Sequence, residues 1–334
     1  MPPQVRVANE LTSGPALWWE APGRAVLRAP EGSPSIAQDR VWIESCFGAV
    51  SAGTERLVGA GRVPASLQSS MACPHMDGRF PFPVKYGYSV AGRVAAGPGA
   101  GSSVFALHPH QSRFSMPAGE LKAVPANVPL SRAPLYPFVE TALNAIWDAE
   151  IRPGERVAVV GGGGVGGAVA YLASRIAGVN VTLAEPESER ARVLEKVGLR
   201  EAAASAADLP SDAYDLVFHC TGQPAVLPHA IRACGAQGRV VELSWYGDRV
   251  VELKLGLDFH HGRKRIISSQ VGAVSPAAGP RWNSERRTQA VMGLLADPAW
   301  DAFFTHEVAF VELPSFLESL VADGYRGLVC RVRY

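Results

Sequence analysis

The residues most suited to chemistry form a glycine run, Gly161-Gly-Gly163-Gly-Val-Gly166-Gly167. It follows the apolar stretch Val157–Val160 and opens an apolar, helix-forming stretch over Gly166–Ala177. This is a G-x-G-x-x-G pattern between a strand and a helix. Gly161 permits a tight turn, Gly163 lets the backbone approach a diphosphate, and Gly166 lets the helix pack on the strand. Gly164 and Val165 lie at the helix start, where unpaired N–H groups and a partial positive charge attract phosphate. Glu185 ends the next strand, 19 residues after Gly166. A carboxylate at that spacing accepts hydrogen bonds from a ribose diol and repels a 2′-phosphate, so NAD(H) is expected ahead of NADP(H). Read without the loop, Glu185-Pro186-Glu187-Ser188 is simply a helix start. Arg190 and Arg192 favour NADP(H), which stays possible, although on this polar helix both are expected to face water.

Other reactive side chains point elsewhere. The five cysteines are far apart with no CxxC pair, which argues against a disulfide framework or a four-cysteine zinc lobe and for thiols in a reducing, cytoplasmic setting. His108 and His110 sit two apart, as strand metal ligands would, but no third ligand is evident and a surface or cleft loop is expected. The net charge of +1 gives no field for nucleic acid or an anionic membrane. The basic cluster His260–Arg265 reads as a solvated turn or a contact to one phosphate. Residues 157–183 carry a single charge, Arg175, but also seven glycines, so strand, loop and helix fit better than a membrane span. Met1–Leu17 lacks the basic head and apolar run of a leader.

These residues need elements to position them. Before residue 138 the chain is short β-type runs, including Ala25–Arg28, Val41–Glu44, Ser89–Val94 and Ser103–Leu107. Eleven prolines between 64 and 137 exclude long helices there. From Thr141 helices and strands alternate: strands at Val157–Val160, Val179–Ala184, Asp215–His219, Arg239–Ser244 and Arg265–Val271, with helices between. Such alternation means parallel βαβ units. A helix over Glu285–Ala296, a strand at Glu307–Val311, a helix over Pro314–Ala322 and a strand at Gly327–Arg333 close the chain. The expected fold is α/β. A Rossmann doubly wound parallel sheet spans 138–274, and a β-rich domain is formed by 1–137 and 275–334.

Several segments resemble the medium-chain dehydrogenase/reductase superfamily, the alcohol dehydrogenase and quinone reductase kin. They are Leu17–Gly23, Arg152–Val160 with the glycine loop, Asp215–Gly222, Gly238–Leu243 and Ile266–Gly272. Ser51-Ala-Gly-Thr-Glu55 is similar to the bacteriochlorophyllide hydroxyethyl dehydrogenase subgroup. The resemblance implies a GroES-like catalytic domain beside the Rossmann domain. Zinc-bearing members carry Cys before Gly-Ser/Thr-Asp, then Gly-His-Glu, then Cys or Glu. Here Ala52 stands for the cysteine, Tyr88 and Ser89 replace His and Glu, and Glu140 sits about a turn past the third place. No zinc is expected.

The resemblance assigns the remaining roles. Thr54 matches a proton-relaying hydroxyl, and Tyr88 would point its phenol into the cleft as proton donor. Lys85 and Glu140 are weaker candidates. Cys220 and Thr221 follow the fourth strand, while Ser244 and Trp245 follow the fifth beside the nicotinamide; Trp245 and Tyr246 could equally pack a domain interface. Arg326 would reach the pyrophosphate from the catalytic domain. Arg265–Val271 would pair with its copy in a homodimer. The implied activity is hydride transfer with a small-molecule carbonyl, alcohol or activated alkene. The alternative is an NAD(H)-binding redox sensor or structural relative without turnover.

Overall fold

The computed structural model describes residues 11–30 and 39–334; the first ten residues, part of the stretch read above for a leader, lie outside them. In chain order the strands are β1 (Ala16–Ala21), β2 (Arg24–Arg28), β3 (Arg40–Val50), β4 (Asp77–Gly78), β5 (Val84–Lys85), β6 (Val90–Ala96), β7 (Ser103–Ala106), β8 (Arg113–Pro117), β9 (Lys122–Ala123), β10 (Arg156–Val160), β11 (Asn180–Ala184), β12 (Glu201–Ala203), β13 (Tyr214–His219), β14 (Cys234–Glu242), β15 (Arg265–Ser268), β16 (Phe304–Ala309) and β17 (Val329–Arg333). The helices are α1 (Ala52–Gly59), α2 (Tyr136–Ala149), α3 (Gly164–Ala173), α4 (Ser188–Lys196), α5 (Leu227–Ala233), α6 (Asp258–His261), α7 (Ser284–Leu294) and α8 (Leu313–Asp323).

The chain forms two units. The first holds the described residues up to Tyr136 with Phe304–Tyr325 and Val329–Tyr334; the second holds Pro137–Phe303 with Arg326–Leu328. In the first, β3 is the spine of a seven-stranded sheet ordered β16-β17-β3-β6-β7-β9, with β8 also paired to β3. Its alternation sorts the core. Val41 and Ile43 join Val90, Val104, Phe114 and Met116, whereas Trp42 packs with Leu11 and Ala96. A second sheet runs β2-β1-β5-β4. The short helix α1, which the sequence reading did not anticipate, lies before the first of the prolines counted above, Pro64.

The second unit is built on a six-stranded parallel sheet ordered β12-β11-β10-β13-β14-β15. Val157 to Val160 are all buried, as strands covered on both faces require. The chain steps outward from β10 to β11 and β12, returns to the other side of β10 at β13, and continues to β14 and β15. The sheet is therefore doubly wound, with its switch point between β10 and β13. No helix among the described residues is long and apolar enough to cross a membrane.

Four expectations need correction. The second domain boundary falls after Phe303 rather than before residue 275. The α7 side chain Arg287 is buried and donates to Glu140 at 3.1 Å and Asn144 at 2.9 Å on α2. Trp282 packs on Trp147, and Trp300 and Phe303 pack on Tyr171. Arg326 belongs with the second unit, because the neighbouring Gly327 carbonyl accepts from Arg190 Nε at 3.0 Å. Arg190 is thus anchored and not simply solvated. The expected strand Arg265–Val271 ends at Ser268.

Arg287→Leu removes the guanidinium while leaving the Glu140 carboxylate buried. Loss of one partner of a buried pair predicts destabilisation of about 3 kcal/mol in urea unfolding; a loss under about 1 kcal/mol would contradict this weight.

Candidate functional site

Parallel register aligns the strand ends. Val160 is opposite Ala184 on one side and His219 on the other, and His219 is opposite Glu242. The next residues, Gly161, Glu185, Cys220 and Leu243, each donate a backbone N–H to a neighbouring strand end or its continuation. All the loops expected to bind a dinucleotide therefore leave from one edge of the sheet.

The glycines have separate reasons for being there. Gly161 takes φ +96°, a left-handed conformation. A Cβ on Gly166 would overlap the Gly161 carbonyl oxygen, whereas one on Gly163 would meet only open space. Gly163 is the N-cap of α3, and no side chain caps that helix. Its first N–H groups, including those of Gly164 and Val165, suit an anion. The cradle fits a diphosphate.

Glu185 is buried beside this loop. One carboxylate oxygen accepts from Gly162 N–H and the other from Glu187 N–H at 2.9 Å; Arg190 Nη1 lies 3.5 Å away. The acidic residue thus braces the loop, a role its spacing alone did not reveal. Arg192 donates to the Ser188 carbonyl within its own helix.

At the ends of β13 and β14 lies a polar network that the sequence reading missed. His219 Nδ1 is 2.9 Å from Glu242 Oε2, and His219 Nε2 is 2.8 Å from Thr221 Oγ1. Ser244 and Tyr246 join it. Thr221 and Cys220 also pack at Gly161. Trp245 is half-buried. The available signal was a polar residue closing each of two apolar runs, Leu216-Val-Phe-His219 and Val240-Val-Glu242.

In the first unit, Tyr88 Oη donates to Thr54 Oγ1 at 3.4 Å. Burial pushes the Tyr88 phenol up to about 12, against hydrogen bonds with Ser51 and Thr54 that favour its ionised form. At neutral pH it is a proton donor and not a base. Nearby Glu55, another residue given no role in the sequence reading, is buried. Its Oε1 accepts from Ser51 N–H at 3.1 Å and lies 3.3 Å from His110 Nε2, while Oε2 has no hydrogen-bond partner among the described residues. His110 Nδ1 reaches Tyr334 Oη at 3.1 Å. Lys85 is half-buried; burial lowers its pKa, with Asp77 opposing. Glu140 is committed to Arg287.

Two of the positions compared above with zinc ligands supply no free donor. Ala52 offers no ligand, and Ser89 Oγ donates to the Pro134 carbonyl at 2.7 Å. Among the described residues no three His, Cys, Asp or Glu side chains are grouped to hold a metal ion. His108 and His110 lie in the loop between β7 and β8, as expected, but are buried rather than at the surface. His108 stacks on Phe114 with centroids 3.6 Å apart. Burial holds its imidazole well below the usual range, although its bond to the Pro109 carbonyl opposes this. In the basic cluster Lys264 is also buried, paired with Asp212 and Asp258 at 2.9 Å each.

No family model matches the chain. It is 25% identical over 201 residues to 2-dehydro-3-deoxy-L-galactonate 5-dehydrogenase of Pseudoalteromonas atlantica, a match covering 50% of this chain and 58% of that enzyme. Solved structures match almost end to end. 2R,3R-butanediol dehydrogenase of Bacillus subtilis superposes with TM-score 0.75 at 16% identity, over 96% of this chain and 99% of that one. Acetophenone reductase of Geotrichum candidum, in complex with NAD, gives 0.75 at 15%, over 97% and 98%. A Sinorhizobium meliloti protein described as a zinc-binding dehydrogenase and bound to NADP gives 0.77 at 17%, over 97% and 100%.

The fold is that of these dehydrogenase and reductase structures. In it the parallel sheet forms the Rossmann part, and the β-rich unit is the GroES-like part.

The glycine geometry separates two substitutions. Gly166→Ala forces overlap at the turn and is expected to cost about 1–3 kcal/mol in thermal unfolding. Gly163→Ser enters open space at an N-cap, where serine is favoured, and should leave the melting temperature unchanged. Equal melting of the two variants would contradict the assignment.

Proposed function

We propose that this chain is an NAD(H)-linked oxidoreductase that works without zinc on a small carbonyl, alcohol or activated alkene. The observation that carries the reading is the uncapped α3 N-terminus at the carboxyl edge of a doubly wound sheet, with open space above Gly163. Gly161, Gly163, Gly164, Val165 and Gly166 would hold the diphosphate through backbone N–H groups. Glu185 keeps a carboxylate beside that loop, which supports NAD(H) over NADP(H). Cys220, Thr221, Ser244 and Trp245 would line the other half of the cofactor. The bound nicotinamide would supply or accept the hydride. The dehydrogenase relative and the NAD- and NADP-bound structures of the same fold support this class of reaction.

Within the first unit, Tyr88 is the proposed proton donor to the substrate oxygen, with Thr54 holding its hydroxyl. Hydrogen-bond donors then do what a Lewis acid does elsewhere. We assign the protein to the cytoplasm on its free cysteines and unpaired spacing. We also propose a homodimer through β15. This strand ends its sheet, and Ile266 on it is exposed, as are Val250, Leu255 and Leu257 in the preceding segment. Ser269 N–H already bonds Glu242 O within the sheet, so by alternation the outward N–H belongs to Ser268. Ser268→Pro should shift the protein toward monomer in light scattering; a wild-type monomer at micromolar concentration would refute the dimer.

The direct test is loss of NADH absorbance over a panel of aldehydes, ketones and enals. Turnover is expected, unaffected by chelator. Tyr88→Phe should reduce it by about 100-fold with NADH affinity unchanged. Because the phenol stays protonated until about pH 12, the reduction rate should show no loss from Tyr88 through the mildly alkaline range. NADH binding without turnover on any substrate would favour the redox-sensor reading. Tighter binding of NADPH than NADH would overturn the role given to Glu185.

A further inference from the structure

His219 and Glu242 close neighbouring apolar strands, and the parallel register sets them side by side. The imidazole is fully buried and the carboxylate partly so, with 14% of its side chain exposed. Their contacts reach both loops beyond the strand ends. Glu242 accepts from His219, from Tyr246 Oη at 2.8 Å and from Ser244 N–H at 2.7 Å. Ser244 Oγ accepts Gly222 N–H at 3.0 Å, tying one loop to the other. Thr221 Oγ1 accepts Gln223 N–H at 3.0 Å, so its proton is available to His219 Nε2. That assigns the imidazole proton to Nδ1, facing the carboxylate. Burial pushes Glu242 up, but the donors from His219, Tyr246 and Ser244 outweigh it and hold the group below the ordinary carboxylate range. On the exposed side Arg249 repeats the tie, donating to Gly222 O at 2.7 Å and Tyr246 O at 2.9 Å.

The strand order places this network on one side of the glycine loop and Glu185 on the other. A dinucleotide laid across the switch point has one half over β11 and the other over β13 and β14. We infer that His219 and Glu242 are positioning residues for the nicotinamide half of the cofactor. This assignment rests on the dinucleotide reading given above. The pair acts through Thr221, Ser244 and Tyr246, whose loops it locks together, and need not touch the cofactor. The loop on the adenine side is braced by a separate set of bonds, those of Glu185 with Gly162 and Glu187.

The experiment compares NADH with ADP-ribose, which lacks the nicotinamide ring, on the intact protein. Glu242→Gln presents an amide where the network needs only acceptors, and His219→Phe keeps a ring but no nitrogen. Both should weaken NADH about tenfold, the weight of one charge-assisted hydrogen bond. ADP-ribose affinity should stay within about twofold, and the enhancement of bound NADH fluorescence should fall. Tyr246→Phe removes one hydroxyl from the half-buried end and should give a smaller loss of the same pattern, which keeps the test available if a core variant fails to fold. Unchanged NADH affinity in Glu242→Gln and Tyr246→Phe, or equal losses for both ligands, would overturn the assignment alone. A wild type that binds neither ligand would overturn the dinucleotide reading and this assignment with it.

Discussion

The parallel register of β10, β11, β13 and β14 is the constraint on which the candidate cofactor site depends. A sheet buried on both faces must be apolar along its length, and it can turn polar only where strands end. Here four strands end together, so glycine, carboxylate, thiol and imidazole emerge along one line. The helix that follows β10 begins at the same edge with uncapped N–H groups. Hydrogen bonds that satisfy the strand ends thereby also shape the place where a diphosphate would lie.

The first unit solves a different problem. Its candidate chemistry is carried by hydroxyl and phenol groups, and burial keeps the Tyr88 phenol protonated. The same burial leaves Glu55 with one oxygen unpartnered among the described residues and pushes the Cys73 thiol up to about 12, with Glu55 adding to the effect. Proton donation is the chemistry this environment favours, and a reactive thiolate is not.

Much of this was legible in the sequence. The glycine loop could be read because each glycine answers a separate steric demand, and the parallel sheet because buried strands leave unbroken apolar runs. Pairings distant in sequence were not legible. Arg287 is buried against α2 and moves the domain boundary, and nothing in its local sequence signals that pairing. Arg190 and Lys264 looked solvated and are anchored. His108 and His110 are loop residues, as read, but their rings are buried, packed and bonded, which no local pattern encodes. His219 and Glu242 gave a faint signal as polar residues ending apolar strands. Their partnership exists only once the register is known.

The account stands on the N–H groups at the start of α3 taking the diphosphate of a nicotinamide dinucleotide. Amide hydrogen exchange of the intact protein with and without saturating NADH measures this directly. The account predicts slower exchange centred on Gly162–Gly167, with further protection at residues 220–222 and 244–246. Exchange unchanged across the glycine loop, whether NADH fails to bind or binds elsewhere, would contradict it.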